Sequence, residues 1–567
     1  MQQVPENSKL EGIYHIQVID FFKVMVRCGT LALAIVCGTG CGSHEGNQGG
    51  TAAPTPPSGA HSAVRTLKRG LPGEPQTLDP QLADDTYSFQ VLRDIYEGLT
   101  AEDGLGRIVP GVAIAWSVDE TGTVYTFRIR PDAKWSDGKP IVAKEFVEGL
   151  RRAVDPKTAS GSAALLTEIK GASEIVAGRK SASDLRVSSI GDSTVLIELE
   201  HPAPYILQIL SQPIAAPVYL RDNTLSNSAA GNKNRETNGP YVLRVRVPNS
   251  YIELERNPYY WDAANVAIAR VRYVNAESES TELREYDSGE LDMTFTIPIS
   301  DLKRVQQQNG SEVQMAPILG TFYLALNLSY PPLIDRHVLR QALSMAVDRD
   351  AIAQNVMMGV TPAYTFVSKG ITGYKPPEYD WSKWSRDRQL SLAKTLFAQS
   401  GYSPEHPLHL RLYYNRDEGI QRIMVAIAGS WKKNLGVESE LISNEFRVFL
   451  AGRRDRRQWD VARLAWNADY DDPASFLEVF ARDNVENDPG YKSASFNDLL
   501  EKARIEPLVA QRIALLQQSE RVLLDDYPII PIYFYTARRL VKPYVGGAEI
   551  TPMNRTYSKH LFWKSSQ

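Results

Sequence analysis

All three cysteines of this 567-residue chain, Cys28, Cys37 and Cys41, fall within its first 41 residues. The rest can therefore form no disulfide framework and no thiolate metal site, and has to be held by apolar burial and hydrogen bonds alone. A single core stops growing at about 250–300 residues, so two or three domains are expected. Hydrophobic residues at 43%, charged residues at 23% and a mean hydropathy of -0.30 exclude disordered, collagenous and multi-span membrane classes. Lys+Arg 63 against Asp+Glu 67 leaves a net charge of -4, and nucleic acid is not an expected partner.

Between Val24 and Cys41 the sequence VMVRCGTLALAIVCGTGC sets Arg27 before an apolar run, Leu31 to Val36, and then small residues before a cysteine. That is the pattern of a secretory signal; the run is too short for a lasting membrane span, which needs about 20 residues. Residues 1–24 carry Glu6, Glu11 and Asp20 where a signal is basic, whereas a start at Met25 gives a conventional one. Thr39-Gly40-Cys41 is similar to the lipobox of bacterial lipoproteins, although Gly38 stands where a larger aliphatic residue is usual. Segment 1–41 is read as a signal sequence with lipobox and Cys41 as the lipidation site; plain cleavage beside an incidental cysteine is the alternative. Residues 42–64, rich in Gly, Ser, Pro and Ala, read as a flexible tether. A coil of about 20 residues reaches roughly 25 Å, enough for the body to turn while anchored to a bacterial membrane.

The first half of the body mixes strands and helices. Strands are expected at 64–69, 125–130, 195–199, 241–247 and 251–256, with helices at 84–99 and 145–154, the second presenting Phe146, Val147, Leu150 and Val154 on one face. The second half alternates: strand 322–327, helix 336–358, strand 408–414, helix 420–434, strand 437–442, helix 446–453 and strand 459–466. Such βα alternation implies a parallel sheet with crossover helices, in which ligands settle beyond the carboxyl ends of the strands. Trp466 to Asp472, directly after the last strand, is therefore the first place to look for a site.

Catalytic signatures are missing. The eight histidines are scattered and form no HExxH, and there is neither a GxSxG elbow nor a GxxxxGK[ST] phosphate loop. Carboxylates are plentiful, so an acid pair of the glycosidase kind stays open on residue type alone, and an exported hydrolase remains the alternative from a different class. No cofactor and no metal is expected.

Ten segments carry a resemblance. They are LDP (78–80), AKWSDGKP (133–140), NGPYVL (238–243), LERNPYYWD (254–262), GELDMTF (289–295), VLRQALSMAVDRD (338–350), WKKNLGV (431–437), WNADYDDPASFL (466–477), YKSASFNDLL (491–500) and YFYTARRLVKPYVGG (533–547). In this order they resemble the periplasmic oligopeptide-binding proteins of ABC importers, the oligopeptide branch of the peptide and nickel solute-binding family. The resemblance implies an α/β, three-domain periplasmic-binding-protein clamshell: lobe I from 65–96, 219–319 and 537–567, an α+β domain of 97–218 inserted into it, and lobe III from 320–536. It also implies an oligopeptide ligand, delivery to ABC permease subunits, a monomer, and membrane attachment through the lipid anchor only.

A site that binds peptides regardless of sequence needs an acidic anchor, a basic anchor and backbone pairing. Asp469 matches the family's carboxylate for the peptide ammonium, with capping of the next helix as its alternative role. Arg463 matches the arginine near the ligand carboxylate, with a strand-end salt bridge as its alternative. Asp84 and Thr86 match loop positions that pair with peptide backbone; Trp466, Phe446, Phe295, Tyr533 and Tyr535 match aromatic pocket positions, where a strand aromatic also serves as core. Departures cluster elsewhere. Gly320 and Asn467 stand where many relatives have a disulfide, Phe446 replaces a tryptophan, Ile420 a histidine, and Ser162 and Leu165 tyrosines. The amine end is retained and the carboxyl end altered, so ligand length preference, or a modified peptide such as a muropeptide or a signalling peptide, is in play.

Overall fold

Two long strands organise the molecule, Val313–Leu326 and Ile529–Leu540. One end of the pair packs Val313 and Leu540 with Leu283, Tyr286, Leu291 and Ile297; the other buries Phe322, Leu324, Leu326, Ile530 and Ile532 in a second core. One strand carries the chain into the second half and the other carries it back, so they run antiparallel. Their register shifts between Pro317 and Thr321, where Pro317 has no N–H to give the ladder. The computed structural model describes residues 65–221, 224–225, 236–329, 331–403, 405–482 and 484–565. The expected signal sequence, Cys41 and the whole of the expected tether, 42–64, lie outside the described residues.

The second half is a six-stranded sheet in the order Thr361–Pro362, Ile529–Leu540, Val313–Leu326, Val461–Asn467, His409–Asn415, Glu438–Asn444. The last three strands are parallel, as βα alternation requires, but the sheet is mixed rather than parallel throughout, because the crossing strands run against them. Helix Glu418–Leu435 covers one face with Ile423, Ile427 and Trp431; Asp417 caps its start and Gly436, at φ +76°, ends it. Helices Ala494–Ile505 and Val509–Asp526 cover the other face through Phe496, Leu516 and Leu523. The expected helix 336–358 is broken: it stops at Ala346, Val347 is extended, and Asp348 caps a new turn by accepting from Ala351 N at 3.0 Å.

The first half is α+β as expected. Thr66–Leu71 pairs in parallel with Arg270–Asn275, which continues antiparallel to Tyr251–Arg256 and Tyr241–Val247. A second, antiparallel sheet holds Ala113–Val118, Val124–Ile129, Thr194–Glu198 and Val187–Ile190. Helix Ala143–Val154 buries Phe146, Val147, Leu150 and Val154 against it, and ends where Asp155-Pro156 turns the chain extended. Among the described residues no helix is long and apolar enough to cross a membrane.

Candidate functional site

At the carboxyl ends of the three parallel strands the chain leaves Asn467 and runs through Ala468-Asp469-Tyr470-Asp471-Asp472, a turn fixed at every residue. Ala468 N donates to Leu319 O at 2.8 Å, and Asp469 N donates to Ser475 Oγ at 2.9 Å. Asp469 O accepts from Gln212 Nε2 at 3.0 Å and from Arg555 Nη2 at 2.9 Å. The Tyr470 ring lies flat on Tyr205, 4.2 Å between centroids and 2° between planes. Asp471 accepts from Thr372 Oγ1 at 2.7 Å, and Asp472 takes a bidentate pair from Arg512 at 2.7 and 2.9 Å. The cap of the following helix comes from Asp472, whose Oδ1 accepts from Ala474 N, and not from Asp469.

The exception is the Asp469 carboxylate, which makes no hydrogen bond or ion pair among the described residues. It lines a cavity of about 290 Å³ together with Thr86, Phe89, Phe295, Gln212 and Leu319. Burial pushes its pKa up to about 6, with the Arg555 charge pulling the other way. A carboxylate held in place by its neighbours and left without a partner is poised for a cation that arrives with a ligand.

Arg463 lies on the same strand as Asn467 and the same sheet face, four residues or about 13 Å away at 3.3 Å per residue. That is the length of a short extended peptide. Its guanidinium lies 5.2 Å from the Phe322 ring centre, its Nε has no partner, and its charge acts on the Tyr533 and Tyr535 phenols. Phe322 stacks on Tyr533 at 4.9 Å, and Tyr533 meets Tyr535 edge-on at 5.3 Å. Tyr533 is core, while Tyr535 is partly exposed beside Gly320 and Asn467.

The other expected residues separate. Thr86 and Phe295 join Asp469 in the cavity lining. Trp466 points to the opposite face from Arg463, where its Nε1 donates to Ser475 O at 2.6 Å and braces the turn. Asp84 is exposed and packs over Gly161, outside this cavity; Phe446, at the start of helix Phe446–Gly452, is 51% exposed and also outside it. Arg93, Gln212 and Arg555 line the cavity without having been singled out in the sequence. Arg93 had a findable signal, since Thr86, Phe89, Gln90 and Arg93 follow the spacing of one helical face. Arg555, in the C-terminal loop, had none.

Gly320 and Asn467 prove to be direct cross-strand partners. A Cβ on Gly320 would meet Asn467 Oδ1 at 2.3 Å, so the amide fills the space above a bare glycine. The Ala468–Leu319 hydrogen bond makes theirs a non-hydrogen-bonded pair, with Cα atoms about 4.5 Å apart. That separation suits a disulfide. The double variant Gly320→Cys/Asn467→Cys is expected to oxidise in air and gain about 2–4 kcal/mol of stability. Thiol titration with thermal melts, with and without reductant, checks this; two persistent free thiols contradict the register.

Two halves joined by a crossing strand pair, with a cavity lined by both and a carboxylate awaiting a partner, define a clamshell binding protein. Residues 107–488 match the bacterial extracellular solute-binding proteins, family 5 Middle, and the chain belongs to that family. It is 37% identical over 517 residues to the periplasmic oligopeptide-binding protein OppA of Escherichia coli, covering 89% of this chain and 94% of that one. The solved structure of the Escherichia coli murein tripeptide binding protein MppA superposes with a TM-score of 0.76 at 33% identity, over 88% of this chain and 99% of that one. Haemophilus influenzae OppA in complex with RPPGFSPFR gives 0.74 at 30% identity, over 88% and 99%.

Proposed function

We propose that this chain is an extracytoplasmic receptor that encloses oligopeptides between its two halves and delivers them to the permease of an ABC importer. The observation that carries the reading is the Asp469 carboxylate, pinned through its backbone, unpartnered, and set in a cavity lined from both halves. It binds the peptide ammonium. Arg463, on the strand that leads into this turn, takes the peptide carboxylate, Thr86 pairs with peptide backbone, and Phe295 and Tyr535 wall the ligand. The work is binding rather than chemistry: closure exchanges water for protein contacts, and the closed form is what the permease recognises.

The division into lobe I (65–96, 219–319, 537–567), inserted domain (97–218) and lobe III (320–536) belongs to this reading and is supported by the three main sheets, which fall almost wholly within those segments. So do lipidation at Cys41 and a tether that keeps the body near the permease. A modified peptide is the second reading, favoured by the changed residues Ile420, Ser162 and Leu165 and by the likeness to a murein tripeptide binder.

The pH dependence tests the reading. Ammonium binding needs Asp469 ionised, and its pKa in the empty site is about 6. Affinity is therefore full above that value and falls as pH drops through it, by up to about tenfold per unit. Calorimetric titration with tri-alanine is expected to show about tenfold weaker binding at pH 5.0 than at pH 7.5, and no binding of the N-acetylated peptide. Binding that ignores both pH and acetylation would overturn the assignment of Asp469.

A further inference from the structure

The cavity that holds Asp469 contains a second uncommitted charge. Its lining includes two guanidinium groups, Arg93 and Arg555. Arg555 is spent: it is ion-paired with buried Glu102 and donates to Asp469 O at 2.9 Å. Arg93 is not. Among the described residues no carboxylate lies within salt-bridge distance of it and it makes no hydrogen bond, and its Nε is buried without a partner. Its ring neighbour is Phe89, 5.6 Å from the guanidinium carbon to the ring centre. Burial, and then the like charge of Arg555, pull its pKa below the ordinary guanidinium value, against the smaller opposing effects of Tyr557 and Glu102.

The placement is built rather than incidental. Helix Thr86–Ile95 buries Ser88, Val91, Leu92 and Ile95 against the core, and turns Thr86, Phe89, Gln90 and Arg93 into the cavity at positions i, i+3, i+4 and i+7. Arg93 thus shares with Asp469 a space of about 290 Å³, room for the first residue of a peptide and little more. A ligand ammonium alone neutralises Asp469 and seals Arg93 away from water unpaired, which is costly. A first residue carrying its own anion beside the ammonium satisfies both, and a guanidinium suits a carboxylate in a bidentate contact.

We infer that Arg93 is a specificity residue of the amine pocket, selecting peptides whose first side chain is anionic. The inference rests on the proposed peptide-binding function and on Asp469 as the ammonium anchor. Matched peptides test it on the unmodified protein: Glu-Ala-Ala and Gln-Ala-Ala have the same length and termini and differ only in the charge of the first side chain. Calorimetry at pH 7.5 and low salt is expected to show Glu-Ala-Ala binding at least tenfold more tightly. Arg93→Gln is expected to narrow that ratio to within twofold, and Arg93→Lys to restore part of it. Equal affinity of the wild type for the two peptides overturns the role of Arg93 and leaves the peptide receptor standing. Failure of both peptides to bind overturns the receptor reading itself, and the Arg93 assignment with it.

Discussion

Asp469→Ala, purified without residues 1–64 from peptide-rich cells, is expected to fly in native mass spectrometry as bare protein, whereas the wild type carries a ladder of peptide masses. The substitution removes the one group in the cavity that answers an ammonium. Leaving a buried charge without its partner costs about 3–5 kcal/mol, which at 1.4 kcal/mol per tenfold is a loss of roughly 10² to several times 10³ in affinity. Simple unfolding predicts the opposite stability. The Asp469 pKa in the empty fold lies at about 6, above its unfolded value, so the group favours folding at low pH and that contribution is lost as pH rises through about 6. At pH 7.5 the ionised carboxylate is a burden on the empty protein, and Asp469→Ala should melt no lower than wild type while binding nothing. A variant that melts lower, or keeps its ladder, would count against the assignment. A single discrete mass on the wild type would point to a specialised ligand.

The second large effect lies three residues on. Arg512 and Asp472 form a bidentate ion pair whose side chains are only 4% and 11% exposed, and Asp472 also caps the next helix. Asp472 raises the Arg512 pKa further, against the effect of burial. Arg512→Met keeps the packing volume but strands the Asp472 charge, at a cost of about 3–5 kcal/mol. For a chain of this size that is a fall in Tm of roughly 3–5 °C. Because Asp472 and Asp469 share one turn, ligand affinity should fall with it. Adding Asp472→Asn should recover part of the Tm, since it removes the stranded charge; calorimetry on the single and double variants reads both effects. An unchanged Tm in Arg512→Met would show that solvent, rather than Arg512, compensates Asp472.

Much of this was legible in the sequence, for identifiable reasons. Helix 145–154 was readable because its four apolar residues keep one face and Asp155-Pro156 stops it. The turn after Trp466 was readable because βα alternation fixes where strand ends collect, and the three strands that obey it are parallel. Strand direction failed at Val313–Leu326 and Ile529–Leu540, whose sense is set by the chain's passage between two halves and by no local pattern. The break at Val347 hid inside an apolar run that fits one long helix; Arg349, donating to Ala363 O and Pro531 O, enforces it through tertiary contacts. In the site, Asp469 stood out by its motif, whereas Arg555 reaches it from the far end of the chain. Phe446 and Asp84 matched by position, yet strand ends and loops place them outside the cavity that holds Asp469.

The fit of one amide over a bare glycine, Asn467 above Gly320, bears on how the protein is made. Since no cysteine follows Cys41, the exported body reaches its native register without an oxidation step or a disulfide catalyst. Reductants and thiol-reactive agents have nothing in it to attack, and it should refold from denaturant in reducing buffer as readily as in air. A receptor of this make keeps its cleft intact wherever the redox state outside the cell swings.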